Sequence, residues 1–335
     1  MKAILMGGAE NVDRVYTMEI RKTLREKAGL DDTRAVTRDE IVNGSADCRD
    51  TEYIFATWGM AHFTEEEIKK YLPSLKAVFY AAGTVQYFAR EFLSLGIPVF
   101  SAWAANAVPV AEYTVAQIVL AAKGFYQTCR LSSGSLEGRK EAARLFGHYH
   151  GSYGMNVGII GAGMIGSMVI ERLKAYKVHV RVYDPFLTDE RAAGLGAEKC
   201  SLEELFASCF VVSNHVANLP STVGMLKECH FAAMMPYATF INTGRGAQIV
   251  EPSLWKVLDE RRDITAVLDV TFPEPPTADS PFYTLPNVFL TPHIAGSAGD
   301  EVVRMAEYML QEYEAFAAGQ PTRYAVTLKM LETMA

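Results

Sequence analysis

Three ionisable side chains each follow a predicted strand in the C-terminal part of the chain. Arg245 comes after "TFINTG", Glu274 after "AVLDVTFP" and His293 after "VFLTP". Because the carboxyl ends of parallel strands line the crevice of an α/β sheet, we expect these side chains to converge there. Taken singly, each residue also fits a structural explanation: a surface arginine, an exposed turn acid, a structural histidine. Their shared position in one domain favours a functional site.

The chemistry of these residue types fits a reaction on a small carboxylic acid. An imidazolium can deliver a proton near neutral pH, and a carboxylate partner favours its charged form. A planar guanidinium can hold a carboxylate through two parallel hydrogen bonds, which an ammonium cannot do. Arg245 stands between Gly244 and Gly246 beside a predicted buried strand, where an arginine is costly without an anionic partner. We therefore expect Arg245 to hold an organic acid.

A glycine pattern marks a second candidate site, for a dinucleotide. "VGIIGAGMIGSMVIERL" (157–173) contains Gly161, Gly163 and Gly166 directly after a predicted strand and at the start of a predicted helix. Such glycines allow a tight turn, a close approach of backbone to a pyrophosphate, and close packing of helix on strand. Asp184 ends the next predicted strand, 18 positions after Gly166 (184 − 166), near the expected spacing of ~20. Its carboxylate would accept hydrogen bonds from an adenosine ribose and repel a 2′-phosphate, which predicts NADH over NADPH.

The elements that must position these residues alternate along the chain. In the first hundred residues, short apolar runs predict strands at 2–7, 52–57, 76–81 and 97–102, with helices at 65–72 and 85–96. A second series of six predicted strands begins at residue 156 with "NVGIIG", "HVRVYD", "FVVSNH", "TFINTG", "ITAVLDV" and "VFLTPH". Strands that alternate with helices favour an α/β fold with parallel sheets.

Three further segments link or end these series. "VPVAEYTVAQIVLAAKGFYQ" (108–127) predicts a long apolar helix with Pro109 in its first turn. Residues 131–155 are rich in Gly, Ser, His and Tyr, and we expect an irregular arm or dimer contact. Residues 299–319 predict an amphipathic helix.

Composition excludes several classes of partner. The formal net charge is −7, from 39 acidic and 32 basic side chains, so no attraction to nucleic acid or to an anionic membrane is expected. No apolar run approaches the ~20 residues that cross a bilayer, and the N-terminus does not resemble a signal peptide. The five cysteines lack metal-ligand spacing, which predicts free thiols, no metal and a cytoplasmic location.

The motifs together resemble the signature blocks of a known family. "INTGRG", "LDVTFPEPP" and "LTPHIAGS" are similar to those of the D-isomer-specific 2-hydroxyacid dehydrogenases, which include phosphoglycerate, glycerate and glyoxylate/hydroxypyruvate dehydrogenases. "AAGTV", "NAVPVAEYT" and "HVANLPST" extend the resemblance over nearly the whole chain. The resemblance implies two Rossmann-like parallel-sheet domains, with a dinucleotide-binding domain inserted into a flavodoxin-like substrate domain. The implied ranges are 1–107 with 297–335 for the substrate domain and 108–296 for the NAD-binding domain.

The same resemblance implies a role for each matching residue. Arg245 would bind the substrate carboxylate, His293 would donate and accept the proton, and Glu274 would keep the imidazole charged. Ala82 and Gly83 would contact the substrate through backbone N–H groups. The implied cofactor contacts are Gly161, Gly163, Met164, Ile165, Gly166, Asp184, Val216, Thr243, Gly244 and Asp269. The implied activity interconverts a small 2-oxoacid and its D-2-hydroxyacid with NAD, in a homodimer.

Departures from the family pattern leave the substrate open. Ala217 replaces a proline often found there, Val85 and Phe88 stand where acids are usual, and "YHGSYGM" lacks the usual lead-in to the glycine motif. The resemblance implies that the loops 56–63 and 81–84 lie over the substrate, and because they contain no Arg or Lys, we expect an unphosphorylated acid. Two alternatives stay open: an NAD-sensing co-repressor with the same scaffold and little turnover, and a formate dehydrogenase.

Overall fold

The chain divides into two compact units, which are described separately. The computed structural model describes residues 2–332, apart from the side chains of residues 32 and 33. One unit comprises Met1–Asn106 and Ser297–Ala335, and the other comprises Ala107–Gly296. The ends of the predicted domain ranges, at residue 1 and at 333–335, lie outside the described residues.

The first unit contains a five-stranded parallel sheet in the order β2-β1-β3-β4-β5. Its strands are β1 (Ala3–Met6), β2 (Leu30–Ala35), β3 (Tyr53–Ala56), β4 (Ala77–Tyr80) and β5 (Val99–Ser101). Its helices are α1 (Ala9–Val15), α2 (Met18–Ala28), α3 (Arg38–Val42), α4 (Glu65–Tyr71), α5 (Ala89–Ser94) and the C-terminal helix, Val303–Ala317. The C-terminal helix packs on the sheet through Tyr313, whose ring meets those of Phe55 and Phe79 edge-on. The strand order is that of the flavodoxin-like arrangement.

The second unit contains a seven-stranded parallel sheet in the order β12-β11-β10-β9-β6-β7-β8. Its strands are β6 (Tyr153–Ile160), β7 (Lys177–Tyr183), β8 (Ala197–Lys199), β9 (Val211–Asn214), β10 (Thr239–Asn242), β11 (Thr265–Leu268) and β12 (Val288–Leu290). Its helices are α6 (Trp103–Ala122, which begins at the end of the first unit), α7 (Phe125–Gly134), α8 (Leu136–Phe146), α9 (Met164–Leu173), α10 (Asp189–Leu195), α11 (Leu202–Ser208), α12 (Glu228–Ala232) and α13 (Glu251–Glu260). The C-terminal helix of the first unit, Val303–Ala317, is numbered α14.

The order of the second sheet locates its binding crevice. Strand β6 pairs with β7 on one side and with β9 on the other, so the direction in which the sheet grows reverses at β6. Apolar clusters cover both faces, one including Val157 and Ile170, the other including Leu205 and Leu254. In doubly wound sheets, ligands bind beyond the carboxyl ends of the strands at such a reversal. The predicted α/β fold with two parallel sheets is confirmed.

The linking segment differs from the sequence-based expectation in two ways. Helix α6 begins at Trp103 and ends at Ala122, so Pro109 lies inside the helix instead of in its first turn. Residues 131–155, predicted to be irregular, fall mostly in α7, α8 and β6. The glycines of this segment were misleading because one of them serves close packing: a Cβ on Gly138 would lie 2.3 Å from the Leu131 carbonyl oxygen.

Helix α6 contradicts the expectation that no apolar run approaches the length of a membrane span. Within residues 2–332 it alone is long and apolar enough to cross a membrane, with a mean hydropathy of 1.2. Of that stretch, 56% is buried inside the protein, and the core helix of a globular protein passes the same test. Length and composition alone therefore do not distinguish α6 from a membrane span.

Candidate active site

The glycine turn between β6 and α9 has the shape that a dinucleotide requires. Gly161 has a φ of +88°, and a Cβ on Gly166 would lie 1.9 Å from the Gly161 carbonyl oxygen. Both positions therefore exclude a side chain. Gly163 is the N-cap of α9, and nothing lies within 4 Å of where its Cβ would be. The open N-terminus of this ten-residue helix fits a diphosphate.

Asp184 lies beside this turn, where the sequence places it. Its two carboxylate oxygens accept hydrogen bonds from the Ala162 and Phe186 N–H groups, each at 2.8 Å. A carboxylate has about four lone-pair sites, so acceptor capacity is left for two ribose hydroxyls. The structure thus brings the predicted ribose acid and the predicted phosphate turn together.

The other predicted cofactor contacts surround the same strand ends. Met164 is exposed and Ile165 half-buried in the first turn of α9, while Val216 and Thr243 follow β9 and β10. A Cβ on Gly161 would lie 3.0 Å from Val216, which places the Val216 loop against the glycine turn. Gly244 is buried and donates its N–H to the Asn242 side chain at 3.1 Å.

His293 and Glu274 form a hydrogen-bonded pair. The His293 Nδ1 lies 2.6 Å from Glu274 Oε1, and the side chains are 46% and 39% exposed respectively. No other partner of the imidazole exists among the described residues, so Nε2 is the ring nitrogen open to a ligand. The arrangement can hold a proton on Nε2 and stabilise the ring's positive charge through Nδ1.

Asp269 anchors the loop that carries His293. Its Oδ1 accepts from Thr291 Oγ1 at 2.6 Å and from the Ile294 N–H at 2.8 Å. Its Oδ2 accepts from the Ala295 N–H at 2.9 Å, and its carbonyl accepts from the His293 N–H at 3.0 Å. The sequence interpretation gave Asp269 only a cofactor contact, although an acid at a strand end is also a natural acceptor for the N–H groups of a neighbouring loop.

The backbone of Arg245 is held at both ends by side-chain amides. Gln248 Oε1 accepts the Arg245 N–H at 3.0 Å, and Asn242 Nδ2 donates to the Arg245 carbonyl at 3.1 Å. The guanidinium Nη1 donates to the Gly244 carbonyl at 2.8 Å. Burial lowers the pKa of Arg245, and the negative charge of Glu274 opposes that effect. Arginine stays charged under such a shift, so a cation faces the site beside Glu274.

Sequence reasoning missed the amide cluster formed by Asn214, Asn242 and Gln248. All three are fully buried. Asn214 Nδ2 donates to Asn242 Oδ1 at 2.9 Å and to Gln248 Oε1 at 2.6 Å. Gln248 Nε2 donates to the Val216 carbonyl at 2.7 Å, so the cluster joins the Arg245 turn to the Val216 loop. The sequence feature that could have indicated this cluster is an asparagine at the end of each of two apolar strands, Asn214 in β9 and Asn242 in β10.

His215 is a second histidine near the site, in a different environment. It is buried, and its Nε2 and Nδ1 lie 2.9 Å from Ser213 Oγ and 3.3 Å from Thr243 Oγ1. Burial lowers the pKa of His215 to about 3. The ring is therefore neutral near pH 7 and positions the Thr243 hydroxyl.

Ala82 and Gly83 belong to the first unit, in the loop after β4. Their carbonyls accept hydrogen bonds from Ser101 Oγ at 2.9 and 2.8 Å. Within residues 2–332 their N–H groups have no acceptor. Gly83 is partly exposed, whereas Ala82 is buried.

Fold and site define an α/β dinucleotide-binding protein with an arginine, a carboxylate and an imidazole at neighbouring strand ends. A family model for the NAD binding domain of D-isomer specific 2-hydroxyacid dehydrogenases matches residues 125–295, about half of the chain. The chain therefore belongs to the D-isomer specific 2-hydroxyacid dehydrogenase family, and its second unit is an NAD-binding domain.

Individual relatives agree with this assignment. The D-3-phosphoglycerate dehydrogenase of Archaeoglobus fulgidus is 32% identical over 237 residues, which cover 71% of this chain and 44% of that protein. The D-3-phosphoglycerate dehydrogenase of Bacillus subtilis is 32% identical over 266 residues, which cover 78% and 49%. The chain thus spans about half the length of these relatives. D-mandelate dehydrogenase of Rhodotorula graminis shares the fold, with a TM-score of 0.82 at 21% identity over 97% of both chains.

Proposed function

We propose that this chain is an NAD-dependent oxidoreductase that interconverts a small 2-oxoacid and its D-2-hydroxyacid, with His293 as general acid and base. The observation that carries the proposal is the 2.6 Å contact between His293 Nδ1 and Glu274 Oε1, which leaves Nε2 open to substrate. Family membership and the dehydrogenase names of the relatives support it.

Each site residue has one task in this proposal. The Arg245 guanidinium binds the substrate carboxylate in two parallel hydrogen bonds and polarises the adjacent carbonyl. A bound nicotinamide would supply or accept the hydride. During reduction His293 gives its Nε2 proton to the developing alkoxide, and during oxidation it takes that proton back. Glu274 stabilises the charged ring before the proton leaves.

The first unit is assigned the role of a substrate domain. The N–H groups of Ala82 and Gly83, which lack acceptors within residues 2–332, would bind substrate oxygens. The proposal also includes the predicted domain ranges, 1–107 with 297–335 and 108–296. Resemblance to the family supports these assignments, as it does a homodimer, and the negative charge and free cysteines support a cytoplasmic location.

We further propose that the substrate is unphosphorylated, such as glyoxylate or hydroxypyruvate. Within loops 56–63 and 81–84, His62 is the only side chain that can become a cation near neutral pH. Its Nε2 lies 3.1 Å from Glu91 Oε1, so a carboxylate already occupies it. A phosphate carries nearly two negative charges and demands paired donors, which these loops do not supply. Because two relatives are named D-3-phosphoglycerate dehydrogenase, the preference between phosphorylated and unphosphorylated substrates has to be measured.

A screen of 2-oxoacids tests both proposals. NADH oxidation is followed with glyoxylate, hydroxypyruvate and 3-phosphohydroxypyruvate, for the wild type and for His293→Ala. We expect turnover that falls by about 10²–10⁴-fold in the variant, the usual size of general acid–base catalysis. No turnover of any 2-oxoacid by the wild type would favour the NAD-sensing alternative. A kcat/KM for 3-phosphohydroxypyruvate well above that for hydroxypyruvate would refute the unphosphorylated substrate.

A further inference from the structure

Glu274 stands on an exposed loop with little internal hydrogen bonding. Phe272 is 67% exposed, and Pro273 and Glu274 are exposed as well. The internal bond of this loop runs from Thr271 Oγ1 to the Pro273 carbonyl at 2.9 Å. An exposed loop with so little burial needs an external support if it is to hold a carboxylate within hydrogen-bond distance of an imidazole.

Glu251 supplies such a support from the first turn of α13. Its Oε1 accepts the Phe272 N–H at 2.8 Å, and its side chain is buried, with 8% of the residue exposed. It forms no ion pair among the described residues. Burial raises the pKa of Glu251, and the bond from Phe272 opposes that effect. The proposed reaction assigns no task to this buried acid.

The backbone of the Arg245 turn touches the same loop. A Cβ on Gly246 would lie 2.0 Å from the Thr271 carbonyl carbon and 2.5 Å from the Phe272 nitrogen. Because these neighbours are backbone atoms, the two segments meet main chain to main chain. Residues 245–251 therefore carry Arg245, abut the Glu274 loop at Gly246 and bond to it through Glu251.

We propose that Glu251 is a positioning residue: it ties the loop of Glu274 to the segment of Arg245 and thereby keeps Glu274 against His293. This inference rests on the proposed function, in which Glu274 stabilises the charged imidazole. It adds a residue three contacts away from the substrate, which acts through the Glu274 loop and His293 and touches no reacting atom.

A competing role for Glu251 is purely local. An acid in the first turn of a helix also interacts favourably with the positive end of the helix dipole. The two roles can be separated. Interaction with the helix dipole requires a negative charge, whereas the hydrogen bond to the Phe272 N–H requires an acceptor oxygen on a side chain of the length of glutamate. Glu251→Asp keeps the charge and shortens the side chain by one methylene. Glu251→Gln removes the charge and keeps an oxygen at the same reach.

The test follows the proton equilibrium of His293 in these two variants. The charged groups around that ring are Glu274, which pairs with it, Arg245, which acts on Glu274, and Asp269 beneath the loop, and all are unchanged. The His293 ring signal is titrated by NMR in protein labelled at histidine, with His293→Asn to assign it. The pH dependence of kcat/KM for reduction is measured in parallel. Glu274→Gln defines the full effect.

We expect Glu251→Asp to move the titration midpoint and the alkaline limb to lower pH, by at least half of the shift in Glu274→Gln. Glu251→Gln should match the wild type. In the Glu274→Gln background, Glu251→Asp should add no further shift, because Glu251 acts through Glu274. Unfolding midpoints verify that each variant is folded at the temperature used.

Two patterns would overturn the inference. A wild-type profile in Glu251→Asp would mean that the bond to Phe272 does not position Glu274, and equal shifts in both variants would mean that charge and not reach matters. The NMR titration needs no turnover. A wild type that reduces no 2-oxoacid would therefore refute the proposed reaction, while the titration midpoints would still decide the role of Glu251.

Discussion

Glu274 Oε1 lies 2.6 Å from His293 Nδ1, and this contact joins two loops that follow neighbouring strands, β11 and β12. The shared geometry comes from the parallel pairing of those strands, which brings both carboxyl ends to one edge. Asp269 adds the fixed point, because its carboxylate and carbonyl hold residues 291–295. The position of the His293–Glu274 pair thus depends on the pairing of β11 with β12 and on the hydrogen bonds that Asp269 accepts from the His293 loop.

Glu274→Gln should shift the alkaline limb of kcat/KM for reduction to lower pH. A neutral amide stabilises the imidazolium less than a carboxylate does, so the ring loses its proton earlier as the pH rises. The measurement is kcat/KM for a 2-oxoacid against pH. Glu260→Gln, at an exposed position at the end of α13, is the control. An unmoved limb would remove Glu274 from the mechanism.

Asp184→Ala should narrow the preference for NADH over NADPH. The variant removes the repulsion of a 2′-phosphate and the acceptor for ribose hydroxyls, so activity with NADH falls while activity with NADPH rises or holds. The ratio of kcat/KM for the two cofactors measures the effect. Asp189→Ala, at an exposed acid on α10, should leave the ratio unchanged. Equal use of both cofactors by the wild type would contradict the assignment of Asp184.

Arg245→Lys should raise KM for the 2-oxoacid and lower kcat together. A lysine keeps the charge and loses the two parallel hydrogen bonds in the ground state and in the transition state alike. Steady-state kinetics at saturating NADH measure both constants. Arg262→Lys, at a partly exposed arginine paired with Asp259, serves as the control. Unchanged kinetics in Arg245→Lys would show that the guanidinium geometry plays no part.

His215 should make the folded state sensitive to mild acid. Because burial lowers the pKa of His215 to about 3, the unfolded chain binds a proton that the folded state refuses. Its contribution to stability is therefore complete above the ordinary histidine pKa of ~6.5 and declines as the pH falls from there toward 3, by up to about 1.4 kcal/mol per pH unit.

Denaturant unfolding of the wild type and His215→Gln between pH 7.5 and 5 measures this contribution, as the difference in slope of unfolding free energy against pH. His179→Gln replaces an exposed histidine and should keep the wild-type slope. Parallel slopes in the wild type and His215→Gln would mean that the buried ring takes up a proton without cost.

Gly246→Ala should destabilise the second unit and reduce activity. The added Cβ would overlap backbone atoms of Thr271 and Phe272 at 2.0–2.5 Å, so the Arg245 turn and the Glu274 loop must separate. We expect an unfolding cost of about 1–3 kcal/mol, as for overpacking. Gly194→Ala, in helix α10 with open space around its Cβ, should instead be neutral or stabilising. A melting temperature of Gly246→Ala equal to that of the wild type would show that this close approach is absent.

The strands that the sequence predicted have apolar runs, and all of them except β5 and β12 lie in the middle of a sheet. Their apolar runs need no knowledge of the rest of the fold, since burial on both faces selects such residues. The strands β2, "LDDTRA", and β8, "AEK", were missed, and both lie at sheet edges. These two edge strands carry charged residues, so their composition resembles that of a loop, whereas the edge strands β5 and β12 are apolar and were predicted.

The candidate site divides in a similar way. Arg245, Glu274 and His293 were found because their side-chain chemistry and their positions after strands are visible in the sequence. Gln248 and Glu251 were not, because an amide or acid in a helix start has no special spacing. Their importance arises from partners 21 to 34 positions away in the chain, such as Phe272 and Asn214, which only the folded chain brings near.

His293 adopts a left-handed backbone conformation, with a φ of 56°. A side chain in this region costs on the order of 1 kcal/mol relative to glycine, and here two hydrogen bonds from the His293 N–H, to Asp269 and Thr291, hold it in place. The most stable version of this loop would therefore carry glycine, a residue without proton chemistry. Selection for thermal stability alone would erode the proposed catalyst, and a histidine that persists at this position among related chains would record selection for turnover.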